Sequence, residues 1–222
     1  LNKPDINETA FILLLSVFAG SITIASVLAN KIISVAGLYV PAGVLAYSVT
    51  FICTDVVSEI WGKQRAGRMV LGGFIALVAA LTLVQLSLAW PPAPFWEGNA
   101  AFRAILGSTS RIIVSSFVAY LASQFHDVWA FHFWKRATGD RHLWLRNNLS
   151  TAVSQFIDSF LFIFIAFYGV MPLWPLILGQ WAIKLAISIL DTPLVYLVVW
   201  IIRRGGEGRA GDRQGDGRLY CG

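Results

Sequence analysis

The sequence predicts an all-α, polytopic membrane protein built as a single six-transmembrane-helix bundle, and three observations predict it. The 222 residues are 57% hydrophobic and only 13% charged, with mean hydropathy +0.68, whereas an ordinary soluble domain has roughly a quarter of its residues charged. Apolar runs of about 20 residues, enough to cross a hydrocarbon core of roughly 30 Å, recur along the chain. Lys and Arg gather in alternate connecting segments, so the formal charge of +5 reads as a topology signal rather than a nucleic-acid surface.

Span one, 10–30, places Ser16, Gly20, Thr23 and Asn30 on a small, polar face that lets another helix approach closely. A cleaved signal peptide is not expected, because this run has no basic leader or small-residue cleavage site and is long enough to span. Span two, 38–60, carries Pro41 in its first turn, where a missing N–H is tolerated. Its far end, TDVVSEIWGK, brings Asp55 and Glu59 one helical turn apart. Span three, 69–90, follows a basic loop and is interrupted only by Thr82, Gln85 and Ser87. PPAPFWEGNAAFR reads as an irregular interfacial connection. Span four, 105–131, has Ser116, Tyr120, Gln124 and Asp127 on one stripe. Span five, 148–169, contains Asp158, and span six, 173–202, carries Lys184, Asp191 and a Thr192–Pro193 step that marks a kink. Residues 203–222, rich in Gly and charge without apolar periodicity, read as a disordered cytoplasmic tail. Cys53 and Cys221 imply no disulfide framework.

Charge counting gives the orientation. Lys3, the Lys63–Arg68 segment, the Lys135–Arg146 segment and the arginines from Arg203 onward fall on one side, while Lys31 and Arg103 fall on the other, with Arg111 snorkelling outward from just inside a span. A multi-pass membrane protein with both termini cytoplasmic is expected. Trp61, Trp90, Trp96, Trp129, Trp134, Trp174 and Trp200 sit near span ends, as an aromatic belt should.

Asp158 lies about 10 residues, or roughly 15 Å, from either end of its span. A carboxylate at that depth is costly unless protonated, paired or wetted, so it is a candidate functional group. Thr151, Gln155 and Asp158 share a helix face, and Gln180, Lys184, Ser188 and Asp191 form a stripe on span six. Lys184 lies about 11 residues below its own span end, level with Asp158, and an opposite charge there lowers the burial cost of both. The candidate substrate-binding seam therefore joins Tyr120, Gln155, Asp158, Gln180 and Lys184 centrally with Gln124, Asp127, Asp55, Glu59 and Asp191 nearer the cytoplasm, and Asn30 on span one.

Plainer readings stand beside it. Asp158 could bond a neighbouring helix purely for packing. Asp55 and Glu59 could pair with Lys63, Arg65 or Arg68, and Asp127 with Lys135 or Arg136. Tyr120 and Gln124 could serve as helix–helix glue. His126, His132 and His142 lie near or beyond the end of span four without metal-ligand spacing, so no metal and no cofactor are expected. A phosphate loop, HExxH, GxSxG and the kinase motifs are all missing, so no enzyme and no catalytic residues are expected.

Three stretches, TDVVSEIWGKQRAGRMV, RIIVSSFVAYLASQFHDVWAFHFWK, and SQFIDSFLFIFIAFYG followed by KLAISILDTPLVY, resemble the queuosine precursor transporter family, also catalogued as vitamin-uptake-transporter-like. The resemblance spans roughly residues 30–200. It implies a six-helix inner-membrane importer of 7-cyano- or 7-aminomethyl-7-deazaguanine, or of queuine, for tRNA modification. A more distant similarity to the substrate-capture subunits of energy-coupling-factor vitamin importers leaves a separate ATPase module as the alternative; a self-sufficient importer needs none. The ligand could also be another small planar heterocycle. The expected partners are a small deazaguanine-like base and membrane lipid, not nucleic acid, and whether two copies form a homodimer is open.

Overall fold

A computed structural model describes residues 6–138 and 143–216, with side chains described for 8–123, 126, 152–190 and 193–202. In chain order the elements are α1 (Ile6–Leu28), β1 (Ile32–Val35), β2 (Leu38–Pro41), α2 (Gly43–Trp61), α3 (Lys63–Ala89), α4 (Asn99–Thr138), α5 (Leu143–Phe167) and α6 (Leu173–Asp216). The protein is a helical membrane bundle. Among the described residues, five segments, Glu8–Leu28, Gly43–Trp61, Lys63–Ala89, Asn99–Ser123 and Leu173–Leu190, are long and apolar enough to cross a bilayer. The apolar stretch of α5, Ala152–Phe167, is shorter, but the whole 25-residue helix reaches roughly 37 Å at 1.5 Å per residue.

The largest departure from the sequence expectation lies between α1 and α2. Residues 38–41 are not the first turn of span two but strand β2, paired antiparallel with β1 in the register Ile32↔Pro41 to Val35↔Leu38. Ala36 (φ 50°) and Gly37 (φ 82°) both take positive φ, the geometry of a two-residue hairpin turn that follows strand twist. Pro41 ends its strand, where no further ladder donor is needed, and the Ala42 N–H closes the base on the Lys31 carbonyl at 2.7 Å. Irregular backbone at membrane depth survives only where protein covers it, and Val40 is accordingly fully buried.

Three other boundaries move. α3 begins at Lys63 rather than 69, because Gly62 alone (φ 81°) makes the turn from α2 and Lys, Gln, Arg and Ala are good helix formers. The predicted basic loop is therefore the first two turns of α3, and Arg65 lies over the Phe11 ring at 5.5 Å. α4 and α5 both start earlier than expected, at Asn99 and Leu143. α6 runs on through Pro193 to Asp216, so residues 203–216 continue a helix where a structureless tail is predicted; no proline after Pro193 stops it.

Two apolar clusters hold the bundle. One, at the hairpin end, joins Ala29, Ile112, Ile163, Phe167 and Ile177, with Ile32 of β1 packed against it. The other, near the α2–α3 turn, joins Phe18, Cys53, Val57, Ala66 and Met69. Small residues set the close helix approaches: a Cβ on Gly43 would meet the Ala25 carbonyl oxygen at 2.5 Å, and one on Gly73 would overlap the Phe18 ring.

Candidate functional site

Between the two clusters lies a cavity of about 360 Å³ walled by α1–α6 and the end of β2. Its polar wall is built from helices that meet at mid-bundle. Asp158 on α5 and Lys184 on α6 are about 9 and 11 residues from the hairpin ends of their helices, a near-equal depth of roughly 15 Å. The Lys184 ammonium donates to Asp158 Oδ2, and at 6% and 8% exposure both charges are out of solvent. Mutual pairing and hydrogen bonding offset the cost of burying each. Gln180, one turn above Lys184, also lines the cavity and is buried. The α5–α6 wall is further fixed by Trp181, whose indole N–H donates to the Ala152 carbonyl at 3.0 Å, and by its edge contact with Phe156.

The aromatic wall faces this pair. The Lys184 ammonium lies 4.9 Å from the centre of the Tyr47 ring, so it is held between a carboxylate and a π face. Tyr47 packs edge-on against Phe51, and Phe74 packs edge-on against Tyr120 while stacking on Phe117. Tyr47, Phe51, Phe74, Tyr120 and Phe162 all line the cavity. Such a site can accept a flat ring between aromatic faces and satisfy its polar edge with a carboxylate, an ammonium and an amide.

The predicted residues distribute unevenly. Asp158, Lys184 and Tyr120 line the cavity together; Gln155 and Asn30 are not among its lining residues. Gln155 Oε1 is buried with no hydrogen-bond partner among the described residues. Asn30 instead ties the end of α1 to α4: its amide donates to Thr109 Oγ1 at 2.8 Å and its carbonyl oxygen accepts from Ser108 at 2.5 Å. Asp55 and Glu59 line a second cavity of about 420 Å³ with Tyr196 and Val199. Ser58 and Lys63 line both cavities, so the two adjoin at the α2–α3 turn. The side chains of Gln124, Asp127 and Asp191 lie outside the described residues. Arg111, expected to snorkel, donates instead to the Ile165 and Tyr168 carbonyls at 2.5 and 3.0 Å and so closes the end of α5.

Sequence reasoning missed Tyr47 and Phe74. A signal for Tyr47 was present, since Tyr47, Thr50, Thr54 and Ser58 recur at i, i+3, i+7 and i+11 and line the cavity together, but its contact with Lys184 emerges only when α6 is set beside α2. Among the described residues no group of His, Cys, Asp and Glu could hold a metal ion.

A multi-helix membrane bundle with an internal cavity, a buried ion pair and an aromatic wall fits a multi-pass membrane transporter. Residues 41–198 match the family described as "Putative vitamin uptake transporter". The chain belongs to this family and is similar to two proteins named as queuosine precursor transporters. One, "Probable queuosine precursor transporter" of Bacillus subtilis (strain 168), is 34% identical over 180 residues, covering 78% of this chain and 79% of that protein. Another, "Queuosine precursor transporter" of Escherichia coli (strain K12), is 28% identical over 147 residues, covering 66% of this chain and 64% of that protein. No solved structure matches the chain.

Proposed function

We propose that this chain imports 7-deazaguanine precursors of queuosine, such as 7-cyano- or 7-aminomethyl-7-deazaguanine, across the bacterial inner membrane, with both termini cytoplasmic. The observation that carries the reading is the buried Asp158–Lys184 pair on the wall of an aromatic-lined cavity. The two relatives' names supply the ligand class, and the cavity falls in the usual size range for small-molecule sites.

The guanine-like edge presents two adjacent N–H donors beside a carbonyl. Asp158 accepts both donors in a forked pair, while Lys184 or Gln180 donates to the carbonyl. Lys184 thus exchanges part of its contact with Asp158 for a contact with the ligand, and no buried charge is left alone. Tyr120 and Phe162 flank the ring, and Tyr47 keeps Lys184 aimed at the site. Binding needs no ionised ligand.

The test is uptake in a host lacking both precursor synthesis and its own importer, read as queuosine in tRNA after each precursor is supplied at low concentration. Restoration by this chain alone supports self-sufficient import and ranks the precursors. Good membrane expression with no restoration, and no precursor binding to the purified protein, would overturn the proposal.

A further inference from the structure

The cavity is asymmetric along its axis. At the hairpin end its lining residues Ala25, Ala29, Pro41, Gly43, Val44 and Gln180 are all buried, whereas at the other end Lys63 and Gly67 are exposed. The way in or out therefore lies at the α2–α3 turn, where the second cavity adjoins, and the hairpin is the wall at the opposite end. That wall is set into the bundle rather than laid over it. A Cβ on Gly179 of α6 would overlap the Tyr39 carbonyl oxygen, and Gly179 is six residues, roughly 9 Å, along its helix.

We infer that the β1–β2 hairpin is the outer gate of the cavity, parting from α6 at Gly179 to admit substrate, and that the arrangement seen is the inward-facing one. This rests on the proposed import and on the cytoplasmic placement of the α2–α3 turn. Three features favour the hairpin over a helix as the moving part. An isolated two-stranded hairpin is marginal in water, so this one is held by docking and can leave by losing that docking alone. Its root is fixed, because Gly43 is pressed against the Ala25 backbone, while its tip at Ala36, Gly37 and Tyr39 is exposed. The helices beside the pair are tied across, α5 to α6 by Trp181 and α4 to α5 by Arg111. Parting them would strand polar groups away from water. The gate is also wired to the site: Gly179, Gln180 and Lys184 lie within two turns of α6, so a ligand that engages Gln180 and Lys184 acts on the helix that holds the hairpin.

The experiment places one thiol at the gate, Pro41→Cys, in a background carrying Cys53→Ala and Cys221→Ser. Labelling by a membrane-impermeant maleimide is followed in intact cells and in inverted membrane vesicles. The gate predicts labelling at least about tenfold faster in inverted vesicles, as a conformational preference of 1.4 kcal/mol or more would give. Adding Gly179→Ala, which wedges the Tyr39 backbone away, should raise labelling of intact cells several-fold and lower uptake. Equal labelling from both sides, or faster labelling from outside, would overturn the inference, and that two-sided comparison needs only the Gly179 protein. Failure of the wild-type sequence to take up any precursor would instead count against import, a result separable from the labelling asymmetry.

Discussion

The two ends of the cavity are built on different principles. The hairpin end is sealed by apolar packing, with Ile112, Ile163, Phe167 and Ile177 behind it and backbone pressed on backbone at Gly43 and Gly179. The α2–α3 end is framed by Thr54, Ser58, Lys63 and Gly67, hydroxyls and a cation that tolerate water. Between them sits the Asp158–Lys184 pair. The contrast teaches that one end of this bundle is specified by shape and the other by polarity, with the buried charges marking where the two regimes meet.

Substitutions can break that contrast in order of expected effect. Lys184→Ala should be the most damaging, because it leaves Asp158 buried without its cation, a loss of about 3–5 kcal/mol. It should appear as a strongly lowered unfolding midpoint of the detergent-purified protein. The double variant Asp158→Asn with Lys184→Gln should regain much of that stability but no uptake. At the sealed end, Gly43→Val drives a side chain into the Ala25 carbonyl and should cost about 1–3 kcal/mol by overpacking, read in the same melt. Tyr47→Leu removes the π face over Lys184 and should weaken precursor binding by about 0.5–2 kcal/mol, with Tyr47→Phe close to wild type in a titration. At the open end, Ser58→Ala should shift stability by no more than about 0.5 kcal/mol; a larger loss there would mean that the two ends are not built differently after all.

The bundle and its central pair were legible because membrane depth is a counting problem. Each span end is marked by a change of polarity, so residue number along a helix converts to height, and Asp158 and Lys184 come out level. The hairpin was not legible for a local reason. Its turn is Ala36–Gly37 rather than Asn-Gly, and its strands are Ile- and Val-rich, so the segment reads as the start of an apolar helix. Losing the hairpin also displaced α2 and hid Tyr47, whose ring meets Lys184 only through tertiary packing. Asn30 shows the converse error: its polarity was visible, but periodicity cannot tell a residue aimed at a cavity from one aimed at Ser108 and Thr109 on the neighbouring helix. Asp55 and Glu59 line the adjoining cavity and not the central one.

The most direct measurement is precursor binding to purified wild-type and Asp158→Asn proteins, taken beside their unfolding midpoints. The forked carboxylate contact predicts an Asp158→Asn protein whose unfolding midpoint drops, because Lys184 loses its anion, but which still folds and whose affinity falls by about a hundredfold, the loss of roughly 3 kcal/mol expected for hydrogen bonds to a charged acceptor. A folded variant that binds with unchanged affinity would contradict the account, reducing the buried pair to a structural brace.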